Sequence, residues 1–435
     1  MVQVVMTDRQ PKCLNLDKIA DYTDDEVFFF IRVRGKASYF KKVYTQQFIE
    51  CFKSLTKHRT LSEYKKDATV HICLESVDRD WLLPHELEVL GGYTGLSDII
   101  RRCRGLRAIS HVEAAKLVSR ATLFFLSFYE AETKLKLIVT GTIDNYVMDI
   151  MARLGAVYGV KFLAITDSFM TPQYKLISLR GEHSVFRAVP DVEVEAVLAT
   201  LKSRLREARP YSKIRATKFA AYTLISYCVR FFVRYVWHYK IFGRLAYEYR
   251  FATKFSAMDN LSKLFGPLLY EEEAVVDELK NQFVYVPLHF SPEATVDYWV
   301  ADDYHCDYDR SVLAMITSLV GDGREVIVKE HPAFFLLRSK SFYAKIKAAG
   351  AHIVSPFCPT EKLMACAAGV LVWNGSTGIE ALVRGIPVSR VVNSYYGDGL
   401  IPVYPNFTEQ QVGTFDSTMG SQALRAVLSS SFKVF

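Results

Sequence analysis

The sequence lacks paired cysteines and any regular spacing of cysteine with histidine. Its eight cysteines lie at positions 13, 51, 73, 103, 228, 306, 358 and 366, and none belongs to a CxxC pair. This distribution excludes a zinc ribbon and a disulfide scaffold, and in a chain of this length it predicts reduced, mostly buried thiols in a cytosolic protein. A DxD-type metal motif is also missing, because the nearest approach to one, Asp302-Asp303, is expected on a solvated loop.

Long hydrophobic runs are missing as well. The N-terminal residues MVQVVMTDRQPK reach charged residues and a proline before an apolar run can form, so no signal peptide is expected. No internal repeat or low-complexity stretch is evident. Half of the residues are apolar and 23% are charged, which is typical of a globular protein. A chain of 435 residues exceeds the size that one hydrophobic core usually serves, and this length predicts two domains.

The first half of the sequence alternates apolar runs with segments of helical spacing. The apolar runs, which are strand candidates, cover 27–33, 69–74, 122–127, 135–140 and 162–166. Between Asp144 and Gly159 the apolar residues recur at helical spacing. A strand, a glycine turn at Gly141, a helix and a second strand form a βαβ unit, which predicts a parallel sheet.

The second half repeats this order more clearly. Strands are predicted at 283–288, 325–329, 352–355, 369–373 and 387–392. Helices are predicted at 311–320, 341–349, 360–368 and 378–384, with Thr360 as an N-cap and with Gly350 and Gly385 as helix ends. We therefore predict an α/β protein with two Rossmann-like domains facing a cleft. The expected division is an N-terminal domain at 1–200, a basic helical connection at 201–280, a second domain at 281–410 and a tail or helix at 411–435.

A turn of small residues, Asn374-Gly375-Ser376-Thr377-Gly378, follows the predicted strand 369–373 and opens a helix. The first N–H groups of such a helix are unpaired and bind anions, and the hydroxyls of Ser376 and Thr377 add donors. Glu380 lies one turn further on, where a carboxylate is suited to accept hydrogen bonds from ribose hydroxyls. The alternative is an ordinary N-cap, with Glu380 stabilising the helix dipole.

A second motif, Lys329-Glu330-His331-Pro332, ends the predicted strand 325–329. Ligands of open α/β sheets bind at the carboxyl ends of the strands. His331 could donate to a phosphate oxygen or protonate a leaving group, and Lys329 could neutralise the negative charge of that group. Both motifs within one Rossmann-like half predict a phosphate site at this edge. No metal is needed there, because Lys329, His331 and the helix terminus supply positive charge.

Carboxylates of the first half could face this site across the cleft. Asp167 follows the apolar run 162–166 and Asp144 follows 135–140, so both are candidates for a base or for positioning an acceptor. The segment Gly91-Gly92-Tyr93-Thr94-Gly95 could line the acceptor side. The alternative for each of these residues is a plain turn or cap.

Positive charge is concentrated in one segment. Residues 201–260 contain 13 Lys/Arg against Glu207, Glu248 and Asp259. Within this segment, 213–256 interleaves basic residues with Phe, Tyr and Trp, which suits a helix in the headgroup region of an anionic membrane. The alternatives are nucleic acid, for which no recognised module is present, and interdomain helices with snorkelling arginines. We favour peripheral membrane contact over nucleic acid.

Four stretches of the second half resemble the bacterial capsule polysaccharide biosynthesis family, which includes the β-Kdo transferases. The first two are the His331-Pro332 pair after a strand and GIEALVRGIPV at 378–388, which follows the turn of small residues. The others are SYYGDGLIPVY at 394–404 and VYVPLHFSPEATVD at 284–297. The resemblance covers 284–404 in the correct order, and the N-terminal half contributes nothing to it.

The resemblance implies the GT-B glycosyltransferase architecture and a nucleotide sugar as co-substrate, with CMP-Kdo as the leading candidate. Its donor site would comprise Lys329, His331, Asn374, Ser376, Thr377, Gly378 and Glu380. It also implies a carboxylate in the entry loop that forms a covalent glycosyl adduct with retention, and Glu293 matches that position best. This sequence has His289 to Glu293 where the family has a stretch with Gln and Asp. Asp297 is the second choice, and the alternative for Glu293 is a helix cap.

The sequence therefore predicts a glycosyltransferase that acts on a bacterial surface polysaccharide or a lipid-linked glycan acceptor. It would work in the cytoplasm, peripherally at the inner face of the inner membrane, with Glu293, His331 and Asp167 as catalytic candidates and with no cofactor. Two alternatives are open: a transferase using a UDP-sugar or CDP-glycerol on the same framework, and a non-catalytic subunit that binds a nucleotide or glycan at the membrane.

Overall fold

A computed structural model of the protein describes most of the chain. The described residues are 3–7, 29–33, 68–72, 77–107, 109–131, 135–168, 174–207, 212–230, 261–291, 293–300, 304–392, 395–396, 400–401 and 417–433. They form two compact units, each built on its own sheet. Asp302-Asp303 and most of 213–256 lie outside the described residues.

The first unit contains a sheet of seven described strands. They are β1 (Gln3–Thr7), β2 (Phe29–Val33), β3 (Ala68–Ile72), β4 (Leu135–Thr140), β5 (Lys161–Asp167), β6 (Tyr174–Ile177) and β12 (Ser431–Lys433). Their order across the sheet is β12-β6-β5-β4-β1-β2-β3. The strands from β5 to β3 are parallel, and β6 and β12 complete the sheet in antiparallel pairs.

Helices of the first unit supply the residues that pack on this sheet. They are α1 (Pro84–Val89), α2 (Gly92–Arg102), α3 (His111–Ala131) and α4 (Tyr146–Val157). The prediction of a strand candidate at 122–127 was wrong, because this run lies inside α3. Ala114, Val118, Ala121 and Phe125 recur at helical spacing and are buried, so the helix has an apolar face that a local run of apolar letters conceals.

The second unit contains a parallel sheet of five described strands. They are β7 (Phe283–Pro287), β8 (Glu325–Lys329), β9 (His352–Val354), β10 (Gly369–Val372) and β11 (Val388–Arg390). Their order is β11-β10-β7-β8-β9, and β7 and β10 are buried along nearly their whole length. Burial on both faces explains why these strands appear in the sequence as continuous apolar runs.

The second unit also contains the following helices, the last of which crosses into the first unit at Val427. They are α5 (Asp191–Glu207), α6 (Lys213–Arg230), α7 (Ala274–Glu278), α8 (Ala294–Asp297), α9 (Tyr308–Gly321), α10 (Lys340–Ala348), α11 (Thr360–Cys366), α12 (Thr377–Val383) and α13 (Ser417–Ser429). The 3-10 turns are Leu261–Leu269, Tyr304–Cys306 and Pro332–Phe334. The N-cap of α11 is Pro359 and not Thr360, which is already helical.

The helix ends predicted at Gly350 and Gly385 are confirmed. Both residues directly follow a helix and its C-cap, and their φ angles are 94° and 71°. The left-handed backbone conformation at this position favours glycine, because glycine has no Cβ. The α/β fold class with two Rossmann-like domains is confirmed as well, and both sheets show the strand order that this fold has around its first strand.

The observed units divide the chain at Val189 rather than near residue 200. The second unit begins at Pro190, because α5 packs against α12. The chain returns to the first unit at Val427, where Leu428 and Phe432 are buried and β12 pairs with β6. Among the described residues, no helix is both long enough and apolar enough to cross a bilayer.

Candidate functional site

The parallel strands of the second unit end together at one edge of the sheet, and the chain order reverses between β7 and β10. β8 and β9 lie on one side of β7, whereas β10 and β11 lie on the other. In an open α/β sheet such a switch point opens a crevice at the carboxyl ends of the strands, where ligands bind. The segments that follow β7, β8 and β10 form the candidate site.

Three hydrogen-bonded side chains follow β7. The Nε2 atom of His289 lies 2.7 Å from the Thr295 hydroxyl oxygen and 3.2 Å from Oε2 of Glu293. The Thr295 hydroxyl donates to the same Glu293 oxygen over 3.0 Å. Because the Thr295 hydrogen is used on Glu293, its oxygen accepts from His289, and Nε2 of His289 therefore carries a hydrogen.

The environment of Glu293 keeps its carboxyl ionised. Burial alone would raise its pKa, but the hydrogen bond and charge of His289 and the hydrogen bond from Thr295 bring the pKa below its ordinary value. Glu293 occupies the N-cap position of α8, yet its side chain does not cap the helix. The carboxylate is turned towards His289 and Thr295 instead. Asp297, the second choice from the sequence, is fully buried.

The turn after β10 is tied to the segment after β7. The Nδ2 atom of Asn374 donates to the Thr295 carbonyl oxygen over 2.9 Å. Since that carbonyl can only accept, the orientation of the Asn374 amide is determined. Asn374 is 2% exposed, and its Oδ1 has no hydrogen-bond partner among the described residues. The ring of His289 lies against the turn, with Nδ1 3.5 Å from the position of a Cβ on Gly375.

Gly378 is required by the packing of Tyr396. The Tyr396 hydroxyl donates to the Gly375 carbonyl over 2.7 Å, and a Cβ at Gly378 would clash with that hydroxyl. The sequence 374–378 therefore forms a compact turn that Tyr396 fixes from the segment after β11. Ser376 stands at the N-cap of α12 without capping it, and its hydroxyl donates to Oε1 of Glu380 over 3.3 Å.

His331 follows β8 and begins the 3-10 turn Pro332–Phe334. Its Nδ1 accepts from the backbone N–H of Ala333 over 3.2 Å. Although His331 is exposed, desolvation of its ring and the nearby His289 lower its pKa to about 4, with Glu293 acting in the opposite direction. A neutral His331 with an accepting Nδ1 carries its hydrogen on Nε2, so it is a hydrogen-bond donor at neutral pH.

A buried ion pair supports the segments after β7 and β8, and sequence reasoning missed it. Arg338 pairs with Glu330, and both side chains are almost fully buried. Arg338 also donates to the His289 carbonyl over 2.9 Å and to Asp309 over 2.7 Å. Glu330 accepts from the backbone N–H of His331 over 2.7 Å. The pair thus fixes the backbone of both histidines, and only the position of Glu330 beside His331 gave a signal in the sequence.

Aromatic hydroxyls complete this support. The Tyr343 hydroxyl donates to Glu330 over 2.9 Å, and the Tyr308 hydroxyl accepts from the backbone N–H of His289 over 2.5 Å. Burial raises the pKa of Glu330 above its ordinary value, while Arg338 opposes that rise. A carboxylate in contact with solvent would not need such support, but a buried carboxylate needs hydrogen-bond donors and an opposite charge.

Lys329 is the last residue of β8 and precedes Glu330 in the chain. The Lys329 ammonium donates to the Thr360 hydroxyl over 2.6 Å, and Lys329 is 5% exposed. Burial lowers its pKa to about 8, partly offset by Cys358, Glu380 and Glu273. No carboxylate among the described residues lies within salt-bridge distance of it. A buried cation with incomplete pairing is suited to receive an anion.

The structure brings together part of the site predicted from the sequence. Glu293, His331 and Asn374 belong to the three segments at the switch point. Lys329 and Glu380 are close enough for the charge of Glu380 to raise the pKa of Lys329. Ser376 and Thr377 are half-buried in the turn. Their role in binding a nucleotide stays a prediction.

The carboxylates predicted on the first unit fall into two cases. Asp167 is the last residue of β5 and is paired in register with Lys175. Asp144 is buried and forms an ion pair with Arg104, so its charge already has a partner. Gly91 is the N-cap of α2, which agrees with the plain turn considered for the segment 91–95. Among the described residues, no group of three or more His, Cys, Asp or Glu side chains is placed to hold a metal ion.

Comparison with known sequences gives one family. Residues 232–401 match the family described as capsule polysaccharide biosynthesis protein, which confirms the resemblance found in the motifs. The match contains β7, β8, β10 and β11 and therefore every segment of the candidate site. No curated protein matches the chain.

Several solved structures match the chain at low identity and with low TM-scores. A β-Kdo 2,7 transferase, KpsC, of Thermosulfurimonas dismutans is 12% identical, with a TM-score of 0.36, over 72% of this chain and 82% of its own. Os79 of O. sativa, in complex with UDP and deoxynivalenol-3-glucoside, is 13% identical, with a TM-score of 0.23, over 98% and 94%. A UDP-GlcNAc 2-epimerase of Methanocaldococcus jannaschii is 10% identical, with a TM-score of 0.23, over 90% and 84%.

Proposed function

We propose that the protein is a glycosyltransferase of capsule assembly that uses a nucleotide sugar, because residues 232–401 match the family described as capsule polysaccharide biosynthesis protein. The observation that carries this proposal is the convergence of three strand-end segments at the switch point of the second sheet. Nδ1 of His289 lies 3.5 Å from the position of a Cβ on Gly375, and Asn374 is hydrogen-bonded to the Thr295 carbonyl. All of these residues lie within the matched segment.

The donor phosphate binds beside the turn 374–378 and the Nε2–H group of His331. Asn374 supports this assignment, because its buried Oδ1 lacks a donor among the described residues, and a ligand hydroxyl or N–H group can supply one. Lys329 supplies positive charge beneath the edge of the sheet, and Glu380 accepts from the ribose. CMP-Kdo is the leading donor candidate, on the resemblance of the motifs at 284–297, 326–332, 370–388 and 394–404.

Glu293 is the catalytic carboxylate of this proposal. Its Oε2 is held by Thr295 and His289, while its Oε1 has no hydrogen-bond partner among the described residues. An ionised carboxylate with one oxygen fixed and one free can attack an anomeric carbon, and transfer from the resulting adduct to an acceptor hydroxyl gives overall retention. The acceptor is a surface polysaccharide or a lipid-linked glycan.

Membrane contact is the remaining part of the proposal. The described portion of 213–256 is α6 up to Arg230, which exposes Ile214, Tyr222, Ile225 and Val229 beside Lys213, Arg215 and Lys218. Apolar and basic side chains on one exposed helix surface suit an anionic bilayer. A peripheral position at the inner face of the membrane would bring the enzyme to a lipid-linked acceptor.

Thermal stabilisation by CMP, CDP, UDP and GDP tests the donor class. We expect CMP to raise the melting temperature most, and stabilisation by UDP or CDP alone would replace CMP-Kdo with a UDP-sugar or CDP-glycerol donor. Release of CMP from CMP-Kdo in the presence of a capsule oligosaccharide then tests transfer.

Glu293→Gln should bind CMP normally but turn over at least about 100-fold more slowly. Nucleotide binding without turnover of any donor would favour a non-catalytic subunit.

A further inference from the structure

Two histidines of the site follow adjacent strands and have different hydrogen-bond partners. His289 follows β7, and His331 follows β8. The hydrogen-bonded partner of His289 is a carboxylate, Glu293, at 3.2 Å. The partner of His331 is a backbone N–H group, which occupies its Nδ1. An imidazole beside a carboxylate can gain and lose a proton without leaving a buried charge unpaired, whereas an imidazole beside an N–H donor cannot.

The orientation of the His289 ring determines which nitrogen faces the ligand. Nε2 is engaged with Thr295 and Glu293, whereas Nδ1 has no hydrogen-bond partner among the described residues and lies over Gly375. The backbone on either side is fixed, since its N–H donates to Tyr308 and its carbonyl accepts from Arg338. The ring therefore presents Nδ1 to the turn 374–378 and has little freedom to present anything else.

We propose that His289 is the acid–base residue of the transfer, with Nδ1 exchanging a proton with the reacting oxygens and Glu293 pairing with Nε2–H. This inference rests on the proposed function, because it needs a donor phosphate beside the turn 374–378. It assigns to His289 a role that the motif at His331 suggested for the other histidine. His331 is then a neutral donor that binds the phosphate without giving up a proton.

The proton balance of the two steps closes. In the first step, the free oxygen of Glu293 bonds to the anomeric carbon and the bond from that carbon to the phosphate oxygen breaks. The electron pair stays on the phosphate oxygen, which takes the proton of Nδ1. In the second step, the acceptor hydroxyl oxygen displaces Glu293 and gives its proton to Nδ1. The net result is transfer of one proton from acceptor to phosphate, and His289 returns to its first state.

Charged and titratable groups around His289 come from four elements. Glu293 lies on its own segment, Tyr308 on α9, His331 after β8 and Arg338 before α10. Because Nε2 of His289 lies 3.2 Å from Oε2 of Glu293, the pH dependence of turnover should belong to the two residues together and not to one of them alone.

Three variants of His289 separate proton transfer from positioning. His289→Gln can place an amide nitrogen where Nε2 contacts Thr295 and Glu293, and His289→Asn can place one where Nδ1 faces the turn. Neither amide exchanges a proton, so both variants should lose 100- to 10,000-fold in kcat and lose one limb of the pH profile of kcat. His289→Ala leaves space for free imidazole, which should restore turnover in a pH-dependent manner. His111→Asn, on the exposed surface of the first unit, is the control.

The outcomes distinguish the inference from the proposed function. Wild-type turnover or an unchanged pH profile in His289→Gln would overturn the acid–base role and leave His289 as a positioning residue for Glu293. Affinities for CMP and cytidine, measured by calorimetry on each variant, verify that the second unit is folded. Failure of the wild-type protein to bind any of the four nucleotides would overturn the proposed function, and the acid–base role with it.

Discussion

Arg338 is the residue on which the backbone of both histidines depends. Its guanidinium contacts Glu330, Asp309 and the His289 carbonyl at once, which a planar group with five donors can do and a lysine cannot. We expect Arg338→Met to lower the free energy of unfolding of the second unit by about 3–5 kcal/mol, because Glu330 would be left as an unpaired buried charge. Urea unfolding followed by tryptophan fluorescence measures this change.

A double variant provides the control for this prediction. Glu330→Gln removes the charge and keeps an acceptor for the His331 N–H, so the double variant of Arg338→Met with Glu330→Gln should be more stable than Arg338→Met alone. Nucleotide affinity should be lowered both in Arg338→Met and in the double variant, because the His289 carbonyl has lost its Arg338 donor in each. If Arg338→Met unfolds within about 1 kcal/mol of wild type, the pair contributes little and the support comes from Tyr308 and Tyr343.

Lys329 gives a prediction with a definite sign in pH. Burial lowers the pKa of Lys329 to about 8, whereas the pKa of a lysine in the unfolded chain is about 10.4. Below pH 8 both states are protonated and the folded state carries the full cost of a buried cation. Between these values the folded protein releases its proton first, so the stability of the folded state rises with pH.

Lys329→Met removes this cost. At pH 7 the variant should be more stable than wild type by up to about 3 kcal/mol, and the difference should shrink as pH rises towards 10. The same variant should bind CMP more weakly, since the positive charge beneath the turn is gone. Urea unfolding at pH 7 and pH 9.5, together with CMP calorimetry, measures both effects. A variant that is less stable than wild type at pH 7 would contradict the prediction.

At the scale of elements, the sequence predicted the second sheet well because its strands are short, buried on both faces and bounded by glycine and proline. The run 122–127 failed for the opposite reason: its apolar letters are contiguous, but they belong to a helix whose buried face extends from Ala114 to Phe128. Local patterns also identified His331 and the turn 374–378. Arg338 could not be predicted, since it lies eight residues from Glu330, in a bend beyond the 3-10 turn Pro332–Phe334, and no fixed spacing relates two such residues.

Helix α6 connects the basic segment to the site. It buries Ala216, Ala220 and Thr223 and packs against the 3-10 turn Pro332–Phe334, directly after His331. Its opposite surface is exposed. An anionic bilayer bound to that surface would therefore lie about one helix diameter from the turn that follows His331.

Flotation with liposomes tests this surface. Ile225 is 66% exposed, and Ile225→Glu should abolish co-flotation with vesicles of phosphatidylglycerol and phosphatidylethanolamine. Thr217→Glu is the matched control, because Thr217 is exposed on the same helix and the substitution changes the charge equally but removes no apolar surface. Equal loss of flotation in both variants would indicate charge attraction alone, and no flotation of the wild type would leave α6 as a structural helix.

At the scale of the whole molecule, the two units have separate sheets and separate cores. The candidate site belongs wholly to the second unit, whereas Leu428 and Phe432 belong to the first. Replacing these two buried residues with alanine should cost about 2–5 kcal/mol each, and the loss should appear in the sheet that β12 joins. Hydrogen exchange of peptides covering β4 and β6 should accelerate, while peptides covering β7, β8 and β10 should exchange as in wild type.

CMP supplies the second readout of the same experiment. At a concentration about 100 times its dissociation constant, a ligand that binds only the folded second unit stabilises it by about 2.7 kcal/mol. The affinity for CMP should be unchanged in the Leu428→Ala/Phe432→Ala variant, since none of the residues proposed to bind CMP lies in the first unit. Lys433→Ala, at an exposed position of β12, should change neither exchange nor affinity. Loss of CMP binding in the double variant would mean that the second unit depends on the first for its fold, and the site would then have to be treated as a property of the whole chain.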